Sequence, residues 1–252
     1  MINVTRSFMP PIEEYEEYIK GIWENRYLTN EGPLLKKLVE KLKKYLNIEN
    51  INLLTNGTVA LELALKACDI QEGEIITTPF SFVATTSSIM WENCKPVFVD
   101  IDRDTLCIDA NKIEEAITPN TKAIMVVHVY GYPCDIEKIE EIAKKHDLKV
   151  IYDGAHCFGC KYKGKSLLDY GDITTCSFHA TKIFHTIEGG ACITKTKELN
   201  DKIQSLKTFG AIDGEYKIVG TNAKMTEFNA AMGLANLKYM DEIIEERKKI
   251  CE

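Results

Sequence analysis

In "AIMVVHVYGYPCDIEKIEEIAKKHDLKVIYD", residues 123–153, an apolar run (123–131) gives way to a helix pattern (135–146) and then to a second apolar run (149–153). Runs that are continuously apolar, and do not alternate with polar residues, are expected of strands covered on both faces. Two such strands joined through a helix form a right-handed crossover. The alternation continues in both directions along the chain. "INLLT" (51–55), "EIITTP" (74–79), "KPVFVDI" (95–101), "TTCSFH" (174–179) and "ACITK" (191–195) are further strand candidates, and "TVALELALKAC" (58–68) and "ANKIEEAI" (110–117) are helix patterns between them. The expected fold is α/β, with helices on both faces of a mostly parallel sheet of about seven strands. Ligands of such sheets sit beyond the carboxyl ends of the strands.

No linker, repeat or low-complexity tract interrupts the pattern, so residues 1–225 read as one large domain with a short helical N-terminal arm. From Thr226, "TEFNAAMGLANLKYMDEIIEERKKICE" (226–252) reads as the start of a long amphipathic helix without a glycine cap. The expectation is that it leads to a small C-terminal domain that this chain lacks. The balance of 31 basic against 38 acidic residues, with no basic stripe, argues against a nucleic-acid surface. The first twenty residues lack the apolar run of a signal peptide and no segment has the length of a membrane span, so a cytoplasmic protein is expected. Nine scattered cysteines suit reduced core thiols. His156, Cys157 and Cys160 make one CxxC with a neighbouring histidine, but a structural zinc site needs a second ligand pair, and no metal is expected.

Three places could carry chemistry. Asn56, Gly57 and Thr58 stand at the start of a helix that is apolar nearly all round. Exposed N–H groups and the helix dipole there favour an anion such as phosphate, and Gly57 allows close approach; plain N-capping is the alternative. Asp153 closes a strand, where a carboxylate could hold a protonated ring nitrogen or simply cap the next turn. Lys182, in "SFHATKIFHTIEGG" (177–190), follows a strand end beside Ile183, Phe184 and Ile187, whereas solvated lysines usually decorate helix faces. A partly desolvated amine loses proton affinity, as a nucleophilic lysine requires. Each site alone has a bland reading. A phosphate cradle, a carboxylate for a pyridinium nitrogen and an activated lysine, in this order, are together the parts that hold pyridoxal phosphate.

The sequence strongly resembles the sugar-nucleotide aminotransferases of the DegT/StrS type, which have the aspartate-aminotransferase fold, a three-layer α/β/α large domain followed by a small domain. The resemblance runs through "YLTNEGP" (27–33), "TNGTVALELAL", "TPFSFVATTSSI", "PVFVDID", "VVHVYGYPCDIEKIEEIAKKH", "YDGAHCFGCKYKGK", "SFHATKIFHTIEGG" and "GTNAKMTEFNAAMGLANLKYMDEIIEERKKI", essentially the whole chain. It implies pyridoxal 5'-phosphate as cofactor, with Lys182 as the lysine that carries it and Asp153 as the acid on the pyridine nitrogen. His156 falls beside the ring oxygen, Gly57 and Thr58 match the phosphate-binding dipeptide, Ser177 a second phosphate ligand and Phe82 the ring that stacks on the pyridine. Asn222 matches an asparagine that reaches the phosphate from the partner subunit, which implies a homodimer with shared active sites.

The motifs look closest to the branch that aminates dTDP-4-keto-6-deoxyglucose at carbon 4, with L-glutamate as donor, for surface polysaccharide such as the O-antigen of lipopolysaccharide. His156 fits this branch better than the glutamine common in 3-amino enzymes. Family dehydratases carry histidine at the lysine position, so Lys182 favours transamination. Tyr152 and Gly154 depart from the family's usual acidic residue and alanine beside the ring-binding aspartate. Two rivals stand beside this reading: a cofactor-binding, non-catalytic fragment that serves as an interaction module, and a 3-keto sugar aminotransferase. A nicotinamide enzyme would need a G-x-G-x-x-G turn after a strand, which is absent.

Overall fold

The computed structural model describes residues 5–252; the first four residues of the N-terminal arm lie outside it. Seven strands form the main sheet: β1 (Ile51–Leu54), β2 (Glu74–Thr77), β3 (Lys95–Phe98), β4 (Thr121–Val127), β5 (Lys149–Asp153), β6 (Ile173–Ser177) and β7 (Gly190–Thr194). Their order across the sheet is β1-β7-β6-β5-β4-β2-β3. β7 is antiparallel to both β1 and β6, and every other pairing is parallel. The helices are α1 (Ile12–Asn25), α2 (Pro33–Leu46), α3 (Gly57–Ala67), α4 (Val83–Trp91), α5 (Ala110–Ile113), α6 (Ile136–His146), α7 (Lys197–Leu206), α8 (Glu227–Asn236) and α9 (Met240–Cys251).

The continuously apolar runs have a direct cause: neighbouring residues of one strand feed two separate cores. Ile75 and Ile151 pack with Leu61, Leu65 and Ile203 of α3 and α7, whereas Ile76, Val150 and Tyr152 pack with Leu38, Ile139 and Leu234 of α2, α6 and α8. Both faces are therefore covered, and the three layers follow. β3 departs from that expectation, because it is the sheet's edge and leaves Lys95 and Phe98 exposed. The strand expected over 123–131 stops at Val127, since Tyr130 (φ 54°) and Gly131 (φ 82°) both turn left-handed.

The helical run from Thr226 is divided by a tighter turn over Leu237–Tyr239, where Tyr239 bonds Glu14 through its hydroxyl and packs its ring 5.3 Å from that of Phe8. α8 is buried against α2, and its Gly233 makes room, since a Cβ there would lie 2.8 Å from Leu38 Cδ2. Glu227 begins α8 fully buried, and its carboxylate accepts the N–H groups of Leu34 (2.8 Å) and Leu35 (2.9 Å). A carboxylate thus caps the positive end of α2, where Pro33 supplies no N–H to satisfy. Among the described residues no helix is long and apolar enough to cross a membrane.

Candidate active site

The carboxyl ends of β4, β5 and β6 meet the start of α3. Asn56 caps α3: its side-chain oxygen accepts from Val59 N–H (2.8 Å) and its carbonyl from Ala60 N–H (3.3 Å). The N–H groups of Gly57 and Thr58 have no partner among the described residues, so this helix end offers two donors and its dipole. The helix can start here because three residues pack without spare room. A Cβ on Gly57 would lie 2.9 Å from Ser177 Cβ, and one on Gly190 only 2.3 Å from Asn56 O. Gly190 of the Gly189–Gly190 pair is thereby explained: it admits the α3 terminus onto β6 and β7. The capping and the phosphate readings of "TNGT" are compatible, since Asn56 does the first and leaves Gly57 and Thr58 free for the second.

Asp153 ends β5, buried, with its side chain turned toward α4. Thr85 Oγ1 donates to Asp153 Oδ2 at 2.8 Å, and Ala155 N–H to Oδ1 at 3.0 Å. One acceptor position on each oxygen stays open. Phe82, at the N-cap position of α4, lines the crevice and is 77% exposed. His156 lies on the turn after β5, its ring parallel to that of Tyr130 (5.9 Å between centroids, 11°). Burial of its inner side, and then the charge of Lys182, lower its pKa against an opposing pull from Asp153, so the imidazole is neutral at pH 7.

Lys182 stands half-buried on the loop between β6 and β7. The loop is closed by Phe178 N–H donating to Gly189 O and Thr186 N–H to Phe178 O, 2.8 and 2.9 Å. Phe184 stacks on Phe158 at 4.3 Å and meets Phe178 edge-on at 5.0 Å. Buried His185 bonds the carbonyl of Phe8 through Nε2 (2.7 Å), and its own carbonyl accepts from Asn236 (2.9 Å). "IFHTI" therefore fixes the loop from below and leaves the amine of Lys182 facing the crevice.

One cavity of about 400 Å³ gathers Gly57, Thr58, Phe82, Asp153, His156, Ser177 and Lys182. Asn222 is not among its lining residues. It lies exposed, its backbone paired with that of Thr208 and its side-chain oxygen accepting from Lys224 Nζ at 2.6 Å. The cavity also includes His179, Thr181 and Glu188, which sequence reasoning had assigned no role. Thr85 was missed as well, although it sits three residues after Phe82, one helical turn along α4. Cys157 is buried and Cys160 half-buried, both as free thiols, and among the described residues no group of three His, Cys, Asp or Glu side chains is arranged to hold a metal ion.

These residues fit pyridoxal 5'-phosphate. Two unpartnered N–H groups and a missing Cβ suit a phosphate, a buried carboxylate with acceptor capacity suits a ring N–H, and a half-buried amine suits an aldehyde carbon.

Comparisons with known proteins agree with that chemistry. The sequence pattern of the DegT/DnrJ/EryC1/StrS aminotransferase family matches residues 11–252. The chain is 51% identical, over 98% of its length and 67% of the relative's, to a dTDP-4-amino-4,6-dideoxy-D-glucose transaminase of Shigella dysenteriae. It is 39% identical, over 94% of its length and 66% of the relative's, to a GDP-perosamine synthase of Escherichia coli O157:H7. Among solved structures, DesI crystallised in the presence of its TDP-sugar product superposes with a TM-score of 0.94 at 33% identity, covering 98% of this chain and 63% of DesI. NtdA of Bacillus subtilis with bound cofactor PMP superposes with a TM-score of 0.82 at 34% identity, covering 91% of this chain and 53% of NtdA. The chain thus spans about two thirds of the length of its curated relatives. It belongs to the DegT/DnrJ/EryC1/StrS aminotransferase family, whose cofactor is pyridoxal 5'-phosphate.

Proposed function

We propose that the protein moves an amino group from L-glutamate to carbon 4 of a 4-keto-6-deoxy nucleotide sugar, dTDP-4-keto-6-deoxyglucose, leaving 2-oxoglutarate. The reading rests on one observation above all: Lys182, Asp153 and the free α3 N-terminus line a single cavity. The Shigella dysenteriae relative supports the choice of sugar. The enzyme acts in the cytoplasm as a homodimer, in which Asn222 reaches the partner's site, and supplies an amino sugar for surface polysaccharide such as O-antigen.

The bound cofactor supplies an aldehyde carbon that accepts the amino group and a ring that withdraws electrons. Gly57 and Thr58 bind the phosphate through their N–H groups, with Ser177 adding its hydroxyl. Asp153 keeps the proton on the ring nitrogen, and Thr85 holds Asp153 in place. Phe82 covers the ring face and excludes water. Neutral His156 donates or accepts beside the ring oxygen without adding charge. Lys182 would hold the cofactor, and its amine, facing the crevice, would take the proton from the donor's α-carbon and later deliver one to carbon 4 of the sugar.

Incubating the purified chain with pyridoxal phosphate, L-glutamate and dTDP-4-keto-6-deoxyglucose should yield the 4-amino sugar nucleotide by mass spectrometry. Product from the 3-keto isomer alone would overturn the assignment to carbon 4. A cofactor absorbance band that responds to no amino donor would favour a non-catalytic, cofactor-binding module.

A further inference from the structure

Phe158 stands on the turn after β5, two residues beyond His156, and Phe184 on the β6–β7 loop, two residues beyond Lys182. Their rings stack at 4.3 Å and 11°. We propose that Phe158 is a positioning residue for the reaction: through Phe184 it fixes the amine of Lys182 relative to the turn that carries His156. The proposal rests on the reading that Lys182 carries the cofactor and adds what holds that lysine in reach.

The backbone shows why such a link is needed. Each segment is tied within itself. Cys157 N–H donates to Gly154 O (2.9 Å) and Cys160 N–H to Cys157 O (3.0 Å) on one, and Phe178 N–H to Gly189 O (2.8 Å) and Lys182 N–H to His179 O (2.9 Å) on the other. Among the described residues, however, no hydrogen bond joins residues 155–160 to residues 178–189. Beyond the β5–β6 ladder at their roots, side-chain packing sets their register.

Phe158 is placed to supply that packing. Its ring is also near-parallel to that of Tyr45 (5.7 Å, 14°), whose hydroxyl donates to Asp241 Oδ1 of α9 at 2.8 Å. Three near-parallel rings therefore run from α2 to the Lys182 loop, and Phe158 and Phe184 are both buried. Phe158 meets Phe178 edge-on as well, at 6.0 Å, and Phe178 directly follows Ser177. The next residue on the turn, Gly159 (φ 80°), lets α9 press close, since a Cβ there would lie 2.7 Å from Ile244 Cδ1. Stacked rings fix both the separation and the tilt of the segments that carry them. A lysine that must reach one carbon depends on both, because a misplacement of about 1 Å can cost about a hundredfold in rate.

The test compares Phe158→Leu, Phe184→Leu and the double variant with the wild type and with Ile139→Ala, which opens a cavity in the same core from α6. Two probes separate position from fold. Pyridoxal phosphate bonds the Lys182 amine through its aldehyde carbon with loss of water, and is followed by absorbance. The analogue 4-deoxypyridoxine 5'-phosphate keeps the ring and phosphate but has no aldehyde, and is followed by calorimetry. Each phenylalanine variant should bind pyridoxal phosphate about tenfold more weakly, and the analogue within about threefold of the wild type. The double variant should lose the same factor of about ten, because the two rings act as one contact. Ile139→Ala should lower the melting temperature and leave both affinities unchanged. Equal losses for the two probes, unchanged binding of pyridoxal phosphate, or a loss in Ile139→Ala matching that in Phe158→Leu would overturn the positioning role. A loss of about a hundredfold in the double variant would make the rings independent and overturn the link between them. A wild type in which borohydride fixes no pyridoxyl group on Lys182 would bring down the reading of that lysine, and the proposal with it.

Discussion

Replacing Gly57 with alanine sets two effects against each other at one atom. Gly57 opens α3 without a left-handed φ, so alanine can adopt its backbone, and helix propensity alone would favour the change by up to ~1 kcal/mol. Against this, the new Cβ would lie 2.9 Å from Ser177 Cβ and 3.3 Å from Ser177 Cα. Carbon atoms rest about 3.5–4.0 Å apart, so β6 or α3 must give by roughly half an ångström or more. Neither is a flexible side-chain end, and overpacking of this kind costs about 1–3 kcal/mol, so the steric effect wins by ~1 kcal/mol. The urea midpoint of the cofactor-free chain should fall by about 0.5 M, given a slope near 2 kcal/mol/M. The methyl also crowds the two free N–H groups. Losing one hydrogen bond to a charged phosphate, about 1.5–3 kcal/mol, weakens pyridoxal phosphate by about ten- to a hundredfold. Titration of the cofactor followed by absorbance reads that change. A variant that keeps both the midpoint and the cofactor affinity would refute the placement of the phosphate at the α3 N-terminus.

Glu227→Gln leaves one of the two α2 N–H groups facing an amide donor, and should cost about 2 kcal/mol in urea denaturation; no change would show that the cap is idle. His128 is buried, which pushes its pKa down to about 3. The unfolded chain binds that proton below about pH 6.5 and the folded chain does not, so stability present above pH 6.5 is lost as pH falls toward 3, by up to ~1.4 kcal/mol per pH unit. His128→Phe, which can keep the 4.4 Å stack on Tyr152, should flatten that slope; an equal slope in variant and wild type contradicts the assignment. Lys207 is 2% exposed with Nζ 2.9 Å from Glu31 Oε1; burial lowers its pKa and Glu31 pulls it back up. Glu31→Ala leaves a buried charge alone and should cost about 2–3 kcal/mol, whereas Lys207→Met should cost less, so equal losses in thermal melts would show that the pair is not acting as one.

The residues at the ends of elements were the legible part of the site. Gly57 at a helix start, Asp153 at a strand end and Lys182 in a polar turn between apolar runs all signal their position locally, and the parallel sheet brings such ends to one side. The three-layer fold was legible for a related reason, since Ile75 and Ile76, or Ile151 and Tyr152, must each find a different core. What was hidden depends on partners distant in sequence. Glu227 caps a helix almost two hundred residues earlier in the chain, and nothing in "MTEFNAAM" announces it. His185 fixes the lysine loop through Phe8 and Asn236, from opposite ends of the chain. Tyr130 read as strand, because an apolar run carries no mark of a left-handed turn until Gly131.

The claim on which the rest depends is that Lys182 carries the cofactor. Incubating the chain with pyridoxal phosphate, reducing with borohydride and mapping the peptides by mass spectrometry tests it directly. The account predicts a phosphopyridoxyl group on Lys182, in the peptide that contains "SFHATK", and its loss in Lys182→Ala. A modification confined to other lysines, or spread equally over the surface in both proteins, would contradict it.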